Sequence, residues 1–325
     1  MSYRRIGIFV ASSLLLAAVT AFAHADDRKI AVMVFRGVQN LPLLAAQAQG
    51  FFAKRGLAVD MKIAPSAAEL PLGLADGRWQ IIHSAADNAV GIATVNKLDV
   101  ALVIGGDNAF NHLIVQPDIA SPADLRGKTI VLDTANSGYA YLLYAILKKN
   151  GLNRGDYDIK TVGATPNRLA AMLQDRNVKA AVLNEPFALQ AVRGGLRDLG
   201  TTVSMMGPYQ GTAGYALRSW ASANREMLTR YLQAYIEGLR WALDPANKEA
   251  ATKMLGEALK VSPDLAAASY DIVTDAREGF AKDGRFDIEG FANVLRLRTE
   301  YEGGPPPAPE RYLDLSYYRG ALERR

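Results

Sequence analysis

Apolar and polar positions along the chain fall into two alternating patterns. Short apolar runs rich in β-branched residues read as strands, and stretches with apolar residues three and four positions apart read as helices. The run KIAVMVF is followed by a polar turn, RGVQN, then a helical stretch, LPLLAAQAQGFFAKR, which ends at Gly56-Leu57. AVDMKIA reads as the next strand, SAAELPLGLADGRWQ as a helix and its exit, and IIHSAADNAV as a strand running into a polar loop. The same order then recurs. KTIVLDT leads to the turn ANSGY, the helix AYLLYAILKKN ends at Gly151-Leu152, and YDIKTVG, TPNRLAAMLQD and KAAVLNEPF supply strand, helix, and strand with polar loop. Asn40 and Ser137 are plausible N-cap side chains for the helices after the two turns. Strands alternating with helices imply βαβ units and a mainly parallel sheet, so two such units predict two α/β lobes.

Two segments join the units. LDVALVIGGDNAFNHLIVQPDIASPADLRGK carries the chain from the first to the second, and SMMGPYQGTAGYALRS reads as the return crossing. From about Trp220 the pattern is helical, with REMLTRYLQAYIEGLRWAL, NKEAATKMLGEAL, SPDLAAASYDIV and IEGFANVLRLRTEYE expected to pack back on lobe one. GGPPPAP is an extended linker before a last short helix in YLDLSYYRGAL. Two crossings make a hinge, with a cleft between the lobes.

Composition narrows the setting. Arg4 and Arg5, the apolar stretch Ile6 to Val19 and the small-x-small site Ala23-His24-Ala25 have the form of a secretory signal peptide over residues 1–25. The stretch is shorter than the roughly 18 apolar residues expected of a membrane span. The chain contains no cysteine, which excludes disulfides, thiolate metal sites and a lipoprotein anchor. A soluble protein exported to a bacterial periplasm is the simplest expectation. The net charge is +4, and Arg4 and Arg5 supply two of it. No basic stripe with interleaved aromatics occurs, so nucleic acid is not an expected partner.

In open α/β sheets, ligands bind beyond the carboxyl ends of the strands. Both polar turns fall there, each at the start of a helix, where free backbone N–H groups favour an anion or polar oxygen. The turns are therefore expected to hold the two sides of one small molecule. Arg36 is the candidate for direct anion pairing, because guanidinium grips a carboxylate or sulfonate through two bonds; an exposed strand-end arginine is the alternative. His83 and His112 read as buried, satisfied histidines. Asp87 reads as a helix cap or a cation partner. Glu185 would repel an anion, and is expected either to pair with Arg193 or Arg168 or to meet a donor on the ligand. Tyr139 either stacks on a ring or packs. There is no HExxH, GxSxG or P-loop pattern and no thiol, so no enzyme and no cofactor or metal is expected.

The stretches LLAAQAQGFFAKRGLAVDM, SPADLRGKTIVLD, LKKNGL, NEPFALQAVRGG, GYALRSWASANREMLTRYLQAYIEGLRWA and YLDLSYY resemble the periplasmic solute-binding proteins of ABC importers for taurine, alkanesulfonates, nitrate and thiamine-pyrimidine precursors. The resemblance covers nearly the whole chain after residue 25. It implies a type II periplasmic-binding fold, with lobe one at residues 28–113 and 212–325 and lobe two at 114–211. It further implies a small-molecule ligand, an inner-membrane permease as partner, and a monomer. By location it places Gln39 and Asn40, then Ser84, Asp87 and Asn88, then Asn111, in the site. From lobe two and the return crossing it adds Asn136, Ser137, Tyr139, Asn184, Glu185, Tyr209 and Gln210. Asn111 falls where taurine-type proteins carry a carboxylate, which argues against an aminosulfonate ligand. The NEPF loop falls where many relatives have Trp-x-Pro, so the pocket wall differs. A periplasmic sensor for a membrane receptor and a thiamine-pyrimidine-synthase-like enzyme are the alternatives; the latter uses a cysteine-rich iron motif that this chain lacks.

Overall fold

The structure, a computed structural model, describes residues 29–323, and the segment read as a signal peptide lies outside them. The chain runs through β1 (Lys29–Val34), a 3-10 turn at Val38–Asn40, α1 (Leu41–Ala48), α2 (Phe51–Lys54), β2 (Ala58–Ile63), α3 (Glu69–Ala75), β3 (Ile81–Ala85), α4 (Ala86–Thr94) and β4 (Val100–Ile104). It continues as β5 (Asn111–Val115), β6 (Thr129–Leu132), α5 (Gly138–Lys149), β7 (Asp158–Thr161), α6 (Thr165–Gln174), β8 (Val178–Asn184), α7 (Phe187–Arg193), β9 (Arg197–Thr201) and α8 (Thr202–Met206). After β10 (Thr212–Leu217) the rest is helical: α9 (Arg218–Ala223), α10 (Arg225–Leu243), α11 (Lys248–Leu259), α12 (Pro263–Val273), α13 (Ile288–Glu302) and α14 (Ser316–Glu323).

The strands form two five-stranded sheets with matching orders, β2-β1-β3-β10-β4 and β7-β6-β8-β5-β9. In the first, β1 is parallel to β2 and β3, and β10 runs antiparallel between β3 and β4. In the second, β6 is parallel to β7 and β8, and β5 runs antiparallel between β8 and β9. Each antiparallel strand directly follows a crossing between the sheets. The repeated unit of the sequence thus becomes a repeated unit of topology. The first unit's β1, β2 and β3 correspond to β6, β7 and β8.

Two local departures from the sequence pattern have simple causes. The helix expected over LPLLAAQAQGFFAKR is broken at Gly50, which adopts a left-handed φ of 69° and separates α1 from α2. The polar stretch after β3 is not a loop, because α4 begins immediately at Ala86. Helix α10 follows the pattern closely. Leu228, Tyr231, Leu232, Tyr235, Leu239 and Ala242 recur at three- and four-residue spacing and are buried. That face meets α1 so closely that a Cβ on Gly238 would lie 2.3 Å from the Pro42 carbonyl.

The crossings, residues 105–110 and 207–211, lie side by side. Gly211 N donates to Asp107 O at 2.9 Å, and Ala109 N and Thr212 N donate to Asp107 Oδ1 at 2.6 and 2.9 Å. A third link was not legible in the sequence. Helix α13, expected on the first unit alone, also packs on α5 of the second. Tyr301 stacks on Tyr141 with ring centroids 5.9 Å apart, and the Tyr141 hydroxyl donates to Glu302 at 3.0 Å.

Candidate functional site

The two units face each other with their strand ends, and the pairing between them is crossed. The turn after β1 does not meet the turn after β6. It meets the loop after β8: Val38 N donates to Glu185 O at 3.2 Å, and Asn184 Nδ2 donates to Gln39 Oε1 at 3.4 Å. The turn after β6 meets the start of α4 instead. Gly138 N donates to Asn88 Oδ1 at 3.4 Å, and a Cβ on Gly138 would lie 2.9 Å from the Asp87 Cβ. A near-twofold repeat that closes on itself gives this arrangement, since each unit's first turn must face the other unit's last loop.

A cavity of about 20 Å3 lies between these contacts. Its first-unit wall is Phe35 after β1, Gln39, Ser84 and Ala85 at the end of β3, and Asn88 in α4. Its second-unit wall is Asp133 after β6, Ser137 and Tyr139 at the start of α5, Thr165 and Arg168 in α6, and Asn184 at the end of β8. All these positions lie at the carboxyl ends of parallel strands or on the helices that follow.

Arg168 and Asp133 are the charged residues in the cavity wall. The Arg168 side chain is only 3% exposed. Nη2 donates to Thr165 Oγ1 at 2.8 Å and Nη1 to Gly163 O at 3.5 Å, while Nε has no partner. The nearest carboxylate, Asp133, is 3.8 Å away. That carboxylate already accepts from Thr134 N at 2.7 Å and from the Ser137 hydroxyl. Burial lowers the Arg168 pKa, with the Asp133 charge opposing, and a guanidinium stays protonated regardless. The arrangement is a desolvated cation with unused donor capacity. Around it, Thr165 Oγ1 donates to Asn184 Oδ1 at 2.5 Å, Ser84 and Tyr215 hydroxyls pair at 2.8 Å, and Ser137 Oγ caps α5 by accepting from Ala140 N at 3.2 Å.

The structure brings Gln39, Ser84, Asn88, Ser137, Tyr139 and Asn184 together in the cavity wall. The other expected residues lie elsewhere. Arg36 does not line it; its Nη1 donates to Ala258 O at 3.4 Å, because the strand end points the side chain toward α11. Asn40 Nδ2 donates to Phe35 O at 2.6 Å, bracing the turn, and its side chain makes no N-cap bond. Asp87 neither caps α4 nor reaches the cavity. It pairs with Arg298 of α13 at 2.7 Å, both side chains being 2% exposed. Burial pushes its pKa up to about 6 against the pull of Arg298. Asn111 is buried with both amide atoms unpartnered.

Asn136 is exposed and lines a neighbouring crevice. Tyr209 and Gln210 border a separate recess at the crossings, where Gln210 Nε2 donates to Thr212 O at 2.9 Å and its Oε1 accepts from Asp287 N at 2.8 Å. Glu185 pairs with neither Arg193 nor Arg168. Its carboxylate lies 3.4 Å from His112 Nε2, while Arg193 pairs with Asp264. Burial raises Glu185 to about 7, with His112 opposing. The second histidine, His83, bonds Tyr231 at 3.0 Å and is pushed down to about 3 by burial.

Arg168, Thr165 and Asp133 were missed as cavity residues, and the first two were detectable. In α6, Thr165, Arg168, Leu169 and Met172 follow the spacing of one buried face, so an arginine at that position is a charge on the inward side.

This architecture is that of the periplasmic binding proteins, and comparison with known structures bears it out. The chain is similar to the periplasmic aliphatic sulphonate binding protein SsuA of Escherichia coli (TM-score 0.71, 16% identity, covering 88% of this chain and 92% of that one). It is similar to the periplasmic nitrate-binding protein NrtA of Synechocystis (TM-score 0.74, 16% identity, 91% and 88%). It is also similar to the desulfurization enzyme DSZB (TM-score 0.63, 14% identity, 91% and 99%), so the fold serves an enzyme as well as binding proteins. No curated protein sequence matches the chain. The model of the NMT1-like family matches residues 23–256, and the chain belongs to that family.

Proposed function

We propose that this is a periplasmic solute-binding protein that captures a small polar or anionic organic molecule, such as a sulfonate, carboxylate or heterocycle, and delivers it to an ABC importer. The observation that carries this reading is Arg168, a buried guanidinium with unused donors in a cavity walled by both units. Hydroxyls and amides of Ser84, Asn88, Ser137, Thr165 and Asn184 surround it and suit an oxygen-rich head group. Residues 28–113 with 212–325 act as one lobe and 114–211 as the other, and the permease accepts the closed form. Export by the segment at 1–25 and a monomeric state belong to the same reading.

The cavity's chemistry favours capture over catalysis. Among the described residues, no histidine, lysine or cysteine lines it. The Ser84 hydroxyl meets a tyrosine hydroxyl rather than a general base. The test is a thermal-shift screen of the purified protein, unfolded and refolded to remove carried-over ligand, against sulfonates, nitrate, carboxylates and pyrimidines. A ligand at 100 times its Kd stabilises by about 2.7 kcal/mol, so a selective upward shift is the expected result. A flat panel overturns the reading.

A further inference from the structure

A recess of about 310 Å3 lies at the two crossings and shares no wall residue with the cavity. Small-molecule sites begin at roughly 300 Å3, so it can hold a ligand of its own. One wall comes from the crossings, with Asp107, Asn108, Tyr209 and Gln210, and the other from the loop 276–287 between α12 and α13. Hydrogen bonds stitch this loop to both crossings. Ala281 N donates to Gly106 O at 2.7 Å, Asn108 Nδ2 to Glu278 O at 3.1 Å, and Asp287 N to Gln210 Oε1 at 2.8 Å. Two buried rings anchor the loop from within: Phe280 meets Phe110 edge to face at 5.3 Å, and Phe286 meets Phe291 at 5.4 Å.

The anchored loop places three cations on the recess, Arg277, Lys282 and Arg285. Among the described residues, none of their side chains has an ion pair or a hydrogen bond. The acids nearby are already engaged. Asp275 accepts from Arg277 N and Glu278 N at 2.8 and 2.9 Å, and Asp283 pairs with Arg240 at 2.7 Å. In the recess wall itself, Asp287 accepts from Gly290 N at 2.9 Å, and Asp107 accepts from Ala109 N and Thr212 N at 2.6 and 2.9 Å. Three unpaired cations held on one rim repel one another and favour an incoming anion. We infer that the recess is a second binding site, which takes a compact oxyanion of two or more charges, a polycarboxylate or a phosphate. The forks of Arg277 and Arg285 suit paired oxygens of either group, and three cations favour a multivalent anion over a monovalent one. Such a ligand touches both crossings at once. The inference is independent of the capture reading, because no residue of the recess lines the cavity.

The experiment is calorimetric titration of the purified protein, at constant ionic strength, with citrate, inorganic phosphate and acetate. It is repeated on the double variant Arg277→Gln/Arg285→Gln and on Arg168→Met. Both residues of the double variant are exposed, so its melting temperature in chloride should match that of the wild type. Citrate or phosphate should bind more tightly than acetate, and whichever binds names the oxyanion. The double variant should weaken that binding about five- to twentyfold, the worth of two exposed charge pairs. Arg168→Met should leave it within about twofold. Three results each overturn the site: no binding by either multivalent anion, binding no tighter than that of acetate, or binding kept by the double variant and lost in Arg168→Met, which would put the anion in the cavity instead.

Discussion

Asn184 and Gln39 meet across the cleft, amide to amide, and a Cβ on Gly37 would lie 2.1 Å from Gln39 Oε1 and 2.3 Å from Asn184 Nδ2. The φ of Gly37 is 164°, extended backbone that any residue adopts, so a side chain there would not strain the torsion but would displace the two amide ends that meet across the cleft. Gly138 stands in the same relation to Asp87 on the other side of the crossed interface. Both glycines let one unit's backbone approach the other's side chains.

A side chain at either position should therefore hold the cleft open while leaving each unit intact. Gly37→Val is expected to weaken ligand binding more than tenfold. The unliganded protein should change by no more than about 1 kcal/mol, the net worth of one amide hydrogen bond. Ligand titration and chemical unfolding in the absence of ligand measure the two quantities. Equal affinity in Gly37→Val would remove the crossed contact from the binding mechanism.

The two arginines of the candidate site make opposite predictions. Arg168→Met removes the buried cation and should weaken an anionic ligand about 10- to 150-fold, the range of a hydrogen bond to a charged group. Arg36→Ala should leave affinity within about twofold, since its guanidinium is spent on the Ala258 carbonyl. Titration of both variants with the same anion decides between them. A loss confined to Arg36→Ala would reverse the assignment.

These two residues also show what the sequence makes legible. The repeat of strand, polar turn, helix, strand, helix, strand was visible because it rests on local periodicity, and it yields matching sheet orders. The ranges of α10 and α13 follow from the same cause. Side-chain direction at a strand end is not local. Arg36 lies in the expected turn but points to α11, and Glu185 lies in the expected loop but turns to His112. The crossed pairing of the turns depends on how two units dock, which no single stretch encodes. Arg168 was hidden by its chemistry, because a charged residue inside a helix reads as solvent-facing unless its place on the buried face is checked.

Helix α13 is held to α4 of its own unit by one buried ion pair and reaches the second unit beside it, at Tyr141 of α5. Arg298 bonds Asp87 of α4 at 2.7 Å, bonds Glu302, and lies 5.0 Å from the Tyr141 ring centroid on α5. Removing one member leaves a buried charge, so Arg298→Met should cost about 3–5 kcal/mol. Asp87→Asn combined with Arg298→Met should recover part of that loss, because neither charge then remains. Urea unfolding of the wild type, Arg298→Met, Asp87→Asn and the double variant tests this. A double variant as unstable as the sum of both singles would show that the pair is not the source of the loss.

Glu185 sets a pH dependence that can be separated from the rest of the protein. Its carboxylate faces His112 of β5. It also accepts from Leu189 N at 3.3 Å, and the charges of Asp198 and Glu278 act on the same cluster. Burial outweighs the attraction of His112 and lifts Glu185 from 4.5 to about 7. For His112, burial is itself outweighed by the Asp198 hydrogen bond and by the charges of Asp198, Glu185 and Glu278, so its pKa is raised. The folded protein thus holds protons that the unfolded chain gives up at lower pH. The stability from Glu185 is present below 4.5 and is lost as pH rises to about 7, at up to about 1.4 kcal/mol per pH unit. His112 acts in the same direction as pH rises through its own raised pKa. Glu185→Gln stays uncharged at every pH and lowers the His112 pKa by removing a neighbouring charge, so both parts of the decline should shrink. Melting temperatures between pH 5 and 8 should fall for the wild type and fall less for Glu185→Gln. Parallel curves for the two proteins would mean that the decline comes from Asp87 and Asp107, whose buried carboxyls are each raised to about 6, and not from the Glu185 cluster.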